Sequence, residues 1–247
     1  MLKHIRLDKI TSLVNKQGYA SLHELMEITS SSESTIRADL VFLEKDGKII
    51  RLHGGAKSIN QKYSLQELNM SEKSKINPLE KMKIAKKAAS YIEDKMTIYI
   101  DAGTTTSYLC DYINNKDVVI VTNSMTIAQK LKLNDYRVYV TGGEIKLSTD
   151  AFIGAFTQEI INRFSFDLGF FGTNGISLEQ GFTTPDYEEA SVKRTALLRC
   201  KKSFILADYS KFNKENGVSF AQINESTIIT DKIVDSKYLK EKIIGDL

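Results

Sequence analysis

The stretch YIDAGTTTSYL, residues 99–109, sets the reading of the chain. A β-rich run ends at Asp101, a glycine and three threonines follow, and the pattern then turns helical. Such a turn is a ready anion cradle. Gly103 lets the backbone approach closely, and Thr104, Thr105 and Thr106 open a helix whose free N–H groups and hydroxyls converge on one point. The same letters also suit a plain strand-to-helix turn with a threonine cap. The Gly-Lys-Ser/Thr ending of a P-loop is missing, and no Gly-x-Gly-x-x-Gly occurs, so no nicotinamide cofactor is expected.

Around this stretch, strands alternate with helical patterns. The expected strands are TIYID (97–101), VVIVTN (118–123), RVYVTGG (137–143), LGFFGT (168–173), SFILAD (203–208) and TIITD (227–231). That alternation predicts an α/β domain over 78–247 with a largely parallel sheet and helices on both faces. NPLE at 77–80 marks its first helix: Asn77 as cap, Pro78 at the first helical position, Glu80 completing a capping box. Ligands of such sheets bind beyond the carboxyl ends of the strands. DAGTTT (101–106), TNS (122–124), TGGE (141–144), GTNG (172–175) and ADYSKF (207–212) all fall there. In PDYEEASVKR (185–194), Glu189 and Lys193 stand four apart on one helix face, a solvated ion pair or a ligand contact. Lys211 suits an anion. Asp208 suits a ligand hydroxyl or a turn cap. Asp167 reads as structural, and Tyr187 and Tyr209 as packing or stacking groups.

Residues 58–77 are polar and aperiodic and read as a linker with some helical tendency. Residues 1–57 read as three short helices and a two-stranded wing. Leu7, Ile10, Leu13 and Val14 recur at helical spacing, and Gly18 breaks that helix. Ser21 caps a second helix that turns Leu22, Leu25 and Met26 inward. Ser32 caps a third, ending at Gly47, with Ile36, Leu40 and Leu43 buried. This is the layout of a winged helix-turn-helix, whose third helix enters the major groove of DNA. Ser34, Thr35, Arg37 and Ala38 then lie on its opposite, early face. Arg37 can pair with a guanine edge, and Arg51, His53 and Lys57 on the wing suit phosphates.

Bulk properties bound the remaining possibilities. The 247 residues are 42% hydrophobic and 26% charged, enough for a real core. A net charge of +3 does not by itself indicate nucleic acid, and residues 1–57 carry nine Lys/Arg against seven Asp/Glu. The charged N-terminus is not a signal peptide, and no apolar run suits a membrane span. Cys110 and Cys200, both within apparent helices, form no close pair, which favours a reducing, cytoplasmic home. The histidines are His4, His23 and His53. A zinc cluster, and a Ser-His-Asp site within the C-terminal domain, are therefore not expected.

STIRADLVFLEKDGKIIRLHGGA (34–56) resembles the signature of the DeoR family of bacterial transcriptional regulators, which reads close to Thr-Ile-Arg-Arg-Asp-Leu, then Leu-Glu, Gly and Arg-x-His-Gly-Gly-Ala. Thr35, Ile36, Arg37, Asp39, Leu40, Leu43, Glu44, Gly47, Arg51, His53, Gly54, Gly55 and Ala56 match. Ala38 replaces a common second arginine, removing a DNA contact. Ser31 replaces a turn valine, weakening the turn's packing. Residues 78–231 resemble the family's sensor domain, since DAGTTT, TNS, GG, FFGTNGIS, GFTT and ADYSKF follow in order. The resemblance implies a fold similar to ribose-5-phosphate isomerase and glucosamine-6-phosphate deaminase, and a phosphorylated sugar as ligand. By the same likeness, Asp101, Gly103, Thr104, Thr105 and Thr106 form the phosphate loop, with Asn123 and Ser124 beside it. Gly142, Gly143, Asn174 and Gly175 shape the floor, and Lys193 contacts the ligand.

The implied function is a DNA-binding regulator, a repressor of a carbohydrate-utilisation operon, whose operator affinity is set by a phosphorylated sugar. Paired half-sites imply at least a homodimer. The alternatives are an isomerase- or deaminase-like enzyme with a fused helical module, using Asp101, Asp208 or Glu189 as base, and a non-catalytic interaction scaffold. No cofactor, metal or catalytic set is assigned.

Overall fold

The structure is a computed structural model and describes residues 2–17, 19–52, 54–58, 70–233 and 235–245. The chain divides into two units, Met1–Glu67 and Leu68–Leu247.

The first unit contains α1 (Lys3–Gln17), β1 (Tyr19–Ser21), α2 (Leu22–Thr29), α3 (Glu33–Lys45), β2 (Ile49–Leu52) and β3 (Gly55–Ser58). Helical periodicity puts Ile36, Leu40 and Leu43 of α3 on one side, where they are buried against Ile10 and Val14 of α1 and Leu25 of α2. Ser21 caps α2 in a reciprocal capping box with Glu24. Ser30 takes a left-handed conformation (φ 50°) in the turn to α3. Two expectations change. Ser32 precedes α3 but makes no side-chain cap; its hydroxyl meets those of Ser34 and Thr35 at 3.1 and 2.9 Å. The wing is three-stranded, because β1 pairs antiparallel with β3.

The second unit contains α4 (Met70–Ser74), α5 (Pro78–Ala89), β4 (Thr97–Ile100), α6 (Thr104–Leu109), β5 (Val119–Thr122), α7 (Met125–Lys132), β6 (Arg137–Val140), β7 (Glu144–Lys146), β8 (Ala151–Ile153), α8 (Ala155–Asn162), β9 (Phe166–Gly172), β10 (Gly175–Ser177), β11 (Gly181–Thr184), α9 (Tyr187–Leu198), β12 (Cys200–Leu206), β13 (Val218–Ala221), β14 (Thr227–Ile229) and β15 (Ile243–Ile244). Seven strands form a parallel sheet in the order β15-β14-β12-β9-β4-β5-β6. Alternate side chains of β4 serve opposite layers. Ile98 and Ile100 join a core with α5, α6 and α7, and Tyr99 joins one with α9 and the small sheet β10-β11-β13. The chain winds outward from β4 to β6, then returns to place β9 on the other side of β4. The β4/β9 boundary is thus a topological switch point, where open α/β sheets hold ligands.

Local corrections have local causes. Asn77 does not cap α5: it is left-handed (φ 49°) and its amide reaches Asp208 instead. The helical tendency of the linker stretch is met by a short helix, α4. Cys110 follows the last residue of α6, and Cys200 opens β12 rather than lying in a helix. Burial pushes both thiols up to about 12.

Candidate functional site

In the first unit, the early face of α3 is open. Ser32, Ser34, Arg37 and Ala38 are exposed, and Thr35 is partly buried. Arg37 forks onto Glu33 one turn earlier, at 2.7 and 2.8 Å, with both side chains 54% exposed. Arg51 pairs with Glu44 at 3.3 Å. Such exposed pairs are weak and screened by salt, so both guanidiniums remain available to a phosphate or a base edge. Asp39 instead serves the scaffold. It is buried and receives Arg6 of α1 at 2.5 and 3.3 Å, tying α3 to the helix it crosses. His53 lies outside the described residues. Lys57 belongs to β3, but its side chain lies outside them too.

The second unit concentrates polar side chains at the carboxyl ends of β4, β9 and β12. Asp101 leaves β4 with its backbone N–H bonded to Phe170 O at 3.0 Å. Its carboxylate accepts from Gly172 N at 3.1 Å and pairs directly with Lys193 of α9. Burial pushes the Asp101 carboxyl above its ordinary value, while Lys193 and the Gly172 N–H oppose that rise. Asp101 therefore fixes Lys193 at the start of the loop in which it was expected. Gly103 is extended, and Thr104 opens α6 beyond it. Thr105 and Thr106 are buried, and the Thr106 hydroxyl turns back to Gly103 O at 3.0 Å, which removes it from the expected set of converging donors. Asn123 holds the loop from β5, accepting from Ala102 N at 3.0 Å and donating to Phe152 O at 3.2 Å.

Glu189 and Lys193 share a helix face, but they are neither solvated nor bonded to each other. Lys193 goes to Asp101. Glu189 accepts from Thr149 at 2.7 Å, Lys146 at 3.1 Å and Thr184 at 3.3 Å. Burial pushes its carboxyl up, yet Lys146 and Lys193 together hold it below the ordinary value. Lys146 and Thr149 come from β7 and the turn after it, which sequence reasoning passed over.

A second cluster surrounds Asp208, just past β12. One carboxylate oxygen accepts from Asn77 Nδ2 at 2.8 Å and Ser210 N at 3.0 Å; the other is buried without a hydrogen-bond partner among the described residues. Lys81 of α5 is 3% exposed and donates to Lys73 O at 2.5 Å. Burial pushes its ammonium down to about 8, with Asp208 opposing and Lys211 and Lys73 adding to the fall. Burial lowers Lys211 as well, with Asp208 opposing. Both α4, which carries Lys73, and α5, which carries Lys81, pack against α6. Sequence reasoning missed Lys81, although a signal existed: it shares a stripe with Ile84, Ala85 and Ala88, where a lysine is out of place.

Other expected residues also make local structural contacts. The Ser124 hydroxyl caps α7 by accepting from Ile127 N at 3.2 Å. Gly142 (φ 66°) and Gly143 (φ 118°) are left-handed, and a Cβ on Gly143 would come within 2.2 Å of Thr157 Oγ1. Asn174 donates its backbone N–H to Thr183 O at 3.0 Å, and a Cβ on Gly175 would strike Lys214 O at 2.4 Å. Asp167 accepts from Thr97 N and pairs with Lys201.

The two units match two family models, the DeoR-like helix-turn-helix domain over residues 6–62 and the DeoR C-terminal sensor domain over residues 76–232. The chain belongs to the DeoR family. Relatives in this family include the HTH-type transcriptional regulator FruR of Bacillus subtilis, 41% identical over 93% of this chain and 91% of that protein. The lactose phosphotransferase system repressors of Staphylococcus aureus and Staphylococcus epidermidis are each 36% identical, over 93% and 98% of this chain and 92% and 97% of theirs. Among solved structures, ribose 5-phosphate isomerase from Plasmodium falciparum matches with a TM-score of 0.41 over 53% of this chain and 52% of that one, at 19% identity. The eIF2B delta subunit from Chaetomium thermophilum matches with a TM-score of 0.42 over 57% and 51%, at 16% identity. These likenesses are too distant to bear on ligand or activity. The helix-turn-helix of this DeoR-family chain makes it a DNA-binding regulator. No helix among the described residues is long and apolar enough to cross a membrane.

Proposed function

We propose that the chain represses a carbohydrate-utilisation operon, acts as a homodimer or higher homo-oligomer in the cytoplasm, and loses operator affinity when a phosphorylated sugar binds at the carboxyl ends of β4, β9 and β12. The observation that carries the ligand reading is the grouping of two cations, the buried Lys81 and the half-buried Lys211, around Asp208, with α5 packed against α6. Among the described residues, Asp208 is the carboxylate that acts on both lysines. Burying cations with so little compensation is costly unless a ligand anion completes the site. A phosphate there gains charge-assisted bonds from the lysines and N–H bonds from the loop. The second oxygen of Asp208 suits a sugar hydroxyl. DNA is read by Arg37, flanked by Ser32, Ser34, Thr35 and Ala38, with Arg51, His53 and Lys57 on phosphates.

Two of the three candidate bases, Asp101 and Glu189, are taken up by protein partners, which favours a binder over a catalyst; Asp208 keeps one oxygen open among the described residues. Asp101 is engaged by Lys193 and Gly172 N–H, and Glu189 by Lys146, Thr149 and Thr184. A general base needs an oxygen facing the proton it abstracts. The test is a gel shift with DNA upstream of the gene cluster and a panel of sugar phosphates beside the parent sugars. Release by one phosphate ester and not by its parent sugar is expected. Specific binding indifferent to the whole panel overturns the effector reading. Turnover of ribose 5-phosphate or glucosamine 6-phosphate overturns the non-enzymatic one.

A further inference from the structure

We propose that residues 70–77 form a latch across the sensor site, and that phosphate capture by Lys81 and Lys211 opens it. The inference rests on the effector reading above and assigns how that site is coupled to the DNA-binding unit.

Among the described residues, the ties that hold the segment down include three. Met70 N donates to Ser148 O at 3.2 Å, beyond β7. Asn77 Nδ2 donates to Asp208 at 2.8 Å. Lys81 Nζ donates to Lys73 O at 2.5 Å. Two of the three end on groups that the ligand requires: the Lys81 ammonium and the Asp208 carboxylate. A phosphate oxygen outcompetes a neutral carbonyl for an ammonium, because the bond is charged on both sides. A ligand hydroxyl donating to the second oxygen of Asp208, unpartnered among the described residues, makes the carboxylate a weaker acceptor for Asn77. Asn77 is left-handed at φ 49°, a conformation that asparagine adopts readily, and forms the joint between α4 and α5.

The covalent route from the sensor to residues 1–67 runs through this segment. An effector that binds only the opened state shifts the population toward it, and the tether of the helix-turn-helix changes as a result. Linkage makes the effect reciprocal: weakening the latch must tighten phosphate binding and weaken DNA binding. Asn77 is thus a positioning residue and needs no contact with the ligand.

Hydrogen exchange on the full chain tests this, with inorganic phosphate and fructose 1-phosphate as probes. The expected result is protection of the amides of 102–107 together with about tenfold faster exchange at 70–81, the size of a typical coupling. Protection at 102–107 with unchanged or slower exchange at 70–81 overturns the latch and leaves the effector reading standing. No change at 102–107 with either probe removes the effector reading and the latch with it. Asn77→Ala and Asn77→Gly provide the second arm. Both remove the amide that donates to Asp208 and are expected to bind inorganic phosphate more tightly, and glycine keeps the left-handed backbone. A purely structural role for Asn77 predicts unchanged or weaker phosphate binding in both variants, and that result overturns the proposal.

Discussion

The charged pairs of the two units are built in opposite ways. On α3 and the wing, Arg37–Glu33 and Arg51–Glu44 lie on the surface, each partner roughly half exposed. In the sensor, Lys193 and Asp101 are 6% and 2% exposed, and Glu189 is buried among Lys146, Thr149 and Thr184. An exposed pair costs little to break, so its cation can be handed to DNA. A buried pair fixes geometry, and removing one partner strands the other in a medium that cannot solvate it. The first unit keeps its charges loose because its partner brings many phosphates. The second keeps them fixed because its partner is small.

The largest expected effect lies on the buried side. Lys193→Met should cost about 3–5 kcal/mol of stability by stranding Asp101. Urea unfolding measures it, and adding Asp101→Asn should recover part of the loss. A cost below ~1 kcal/mol would mean that the pair behaves like those on the surface. Next, Arg37→Ala should weaken operator binding by about 1–3 kcal/mol and relax preference at one base pair. Its melting temperature should stay nearly unchanged, because the lost ion pair is exposed. Arg51→Ala should weaken binding evenly across DNA sequences and reduce the slope of log K against log salt by roughly 0.9. Then comes pH. The Lys81 ammonium, lowered to about 8, binds an anion only when protonated. Phosphate affinity should therefore fall as pH rises through about 8, and Lys81→Met should abolish that fall. The smallest effect is Glu33→Gln, which frees Arg37 from its partner. It should tighten operator binding by less than about threefold, the size of an exposed ion pair.

What the sequence disclosed follows from how far each signal reaches along the chain. The six expected strands are continuous runs of β-branched and aromatic residues, most of them buried on both faces, a pattern visible within a short window. The pairs β7–β8 and β10–β11 and the strand β13 are three or four residues long. β13 pairs with β11 more than thirty residues away, so no local pattern announces it. The exposure of Arg37 was legible from its place on α3. The roles of Asp101 and Glu189 were not, since their partners Lys193, Lys146 and Thr149 arrive from distant elements. Lys81 and Asp39 stand between these cases. Each sits on the apolar stripe of its helix, where a charge needs a reason, yet only the fold supplies Lys73 and Asp208 for one and Arg6 for the other.

The winding of the sheet also has a consequence for how the chain is made. β4 is a central strand, but β9, its neighbour on one side, begins at Phe166, some sixty-five residues after β4 ends. At about 5–20 residues per second of synthesis, the inner edge of β4 waits several seconds for its partner. During that interval the emerging β4-β5-β6 fragment presents a central, apolar edge of the kind that pairs with other chains. Ribosome-bound fragments ending near residue 165 should therefore be held by chaperones, and those extending past β12 released.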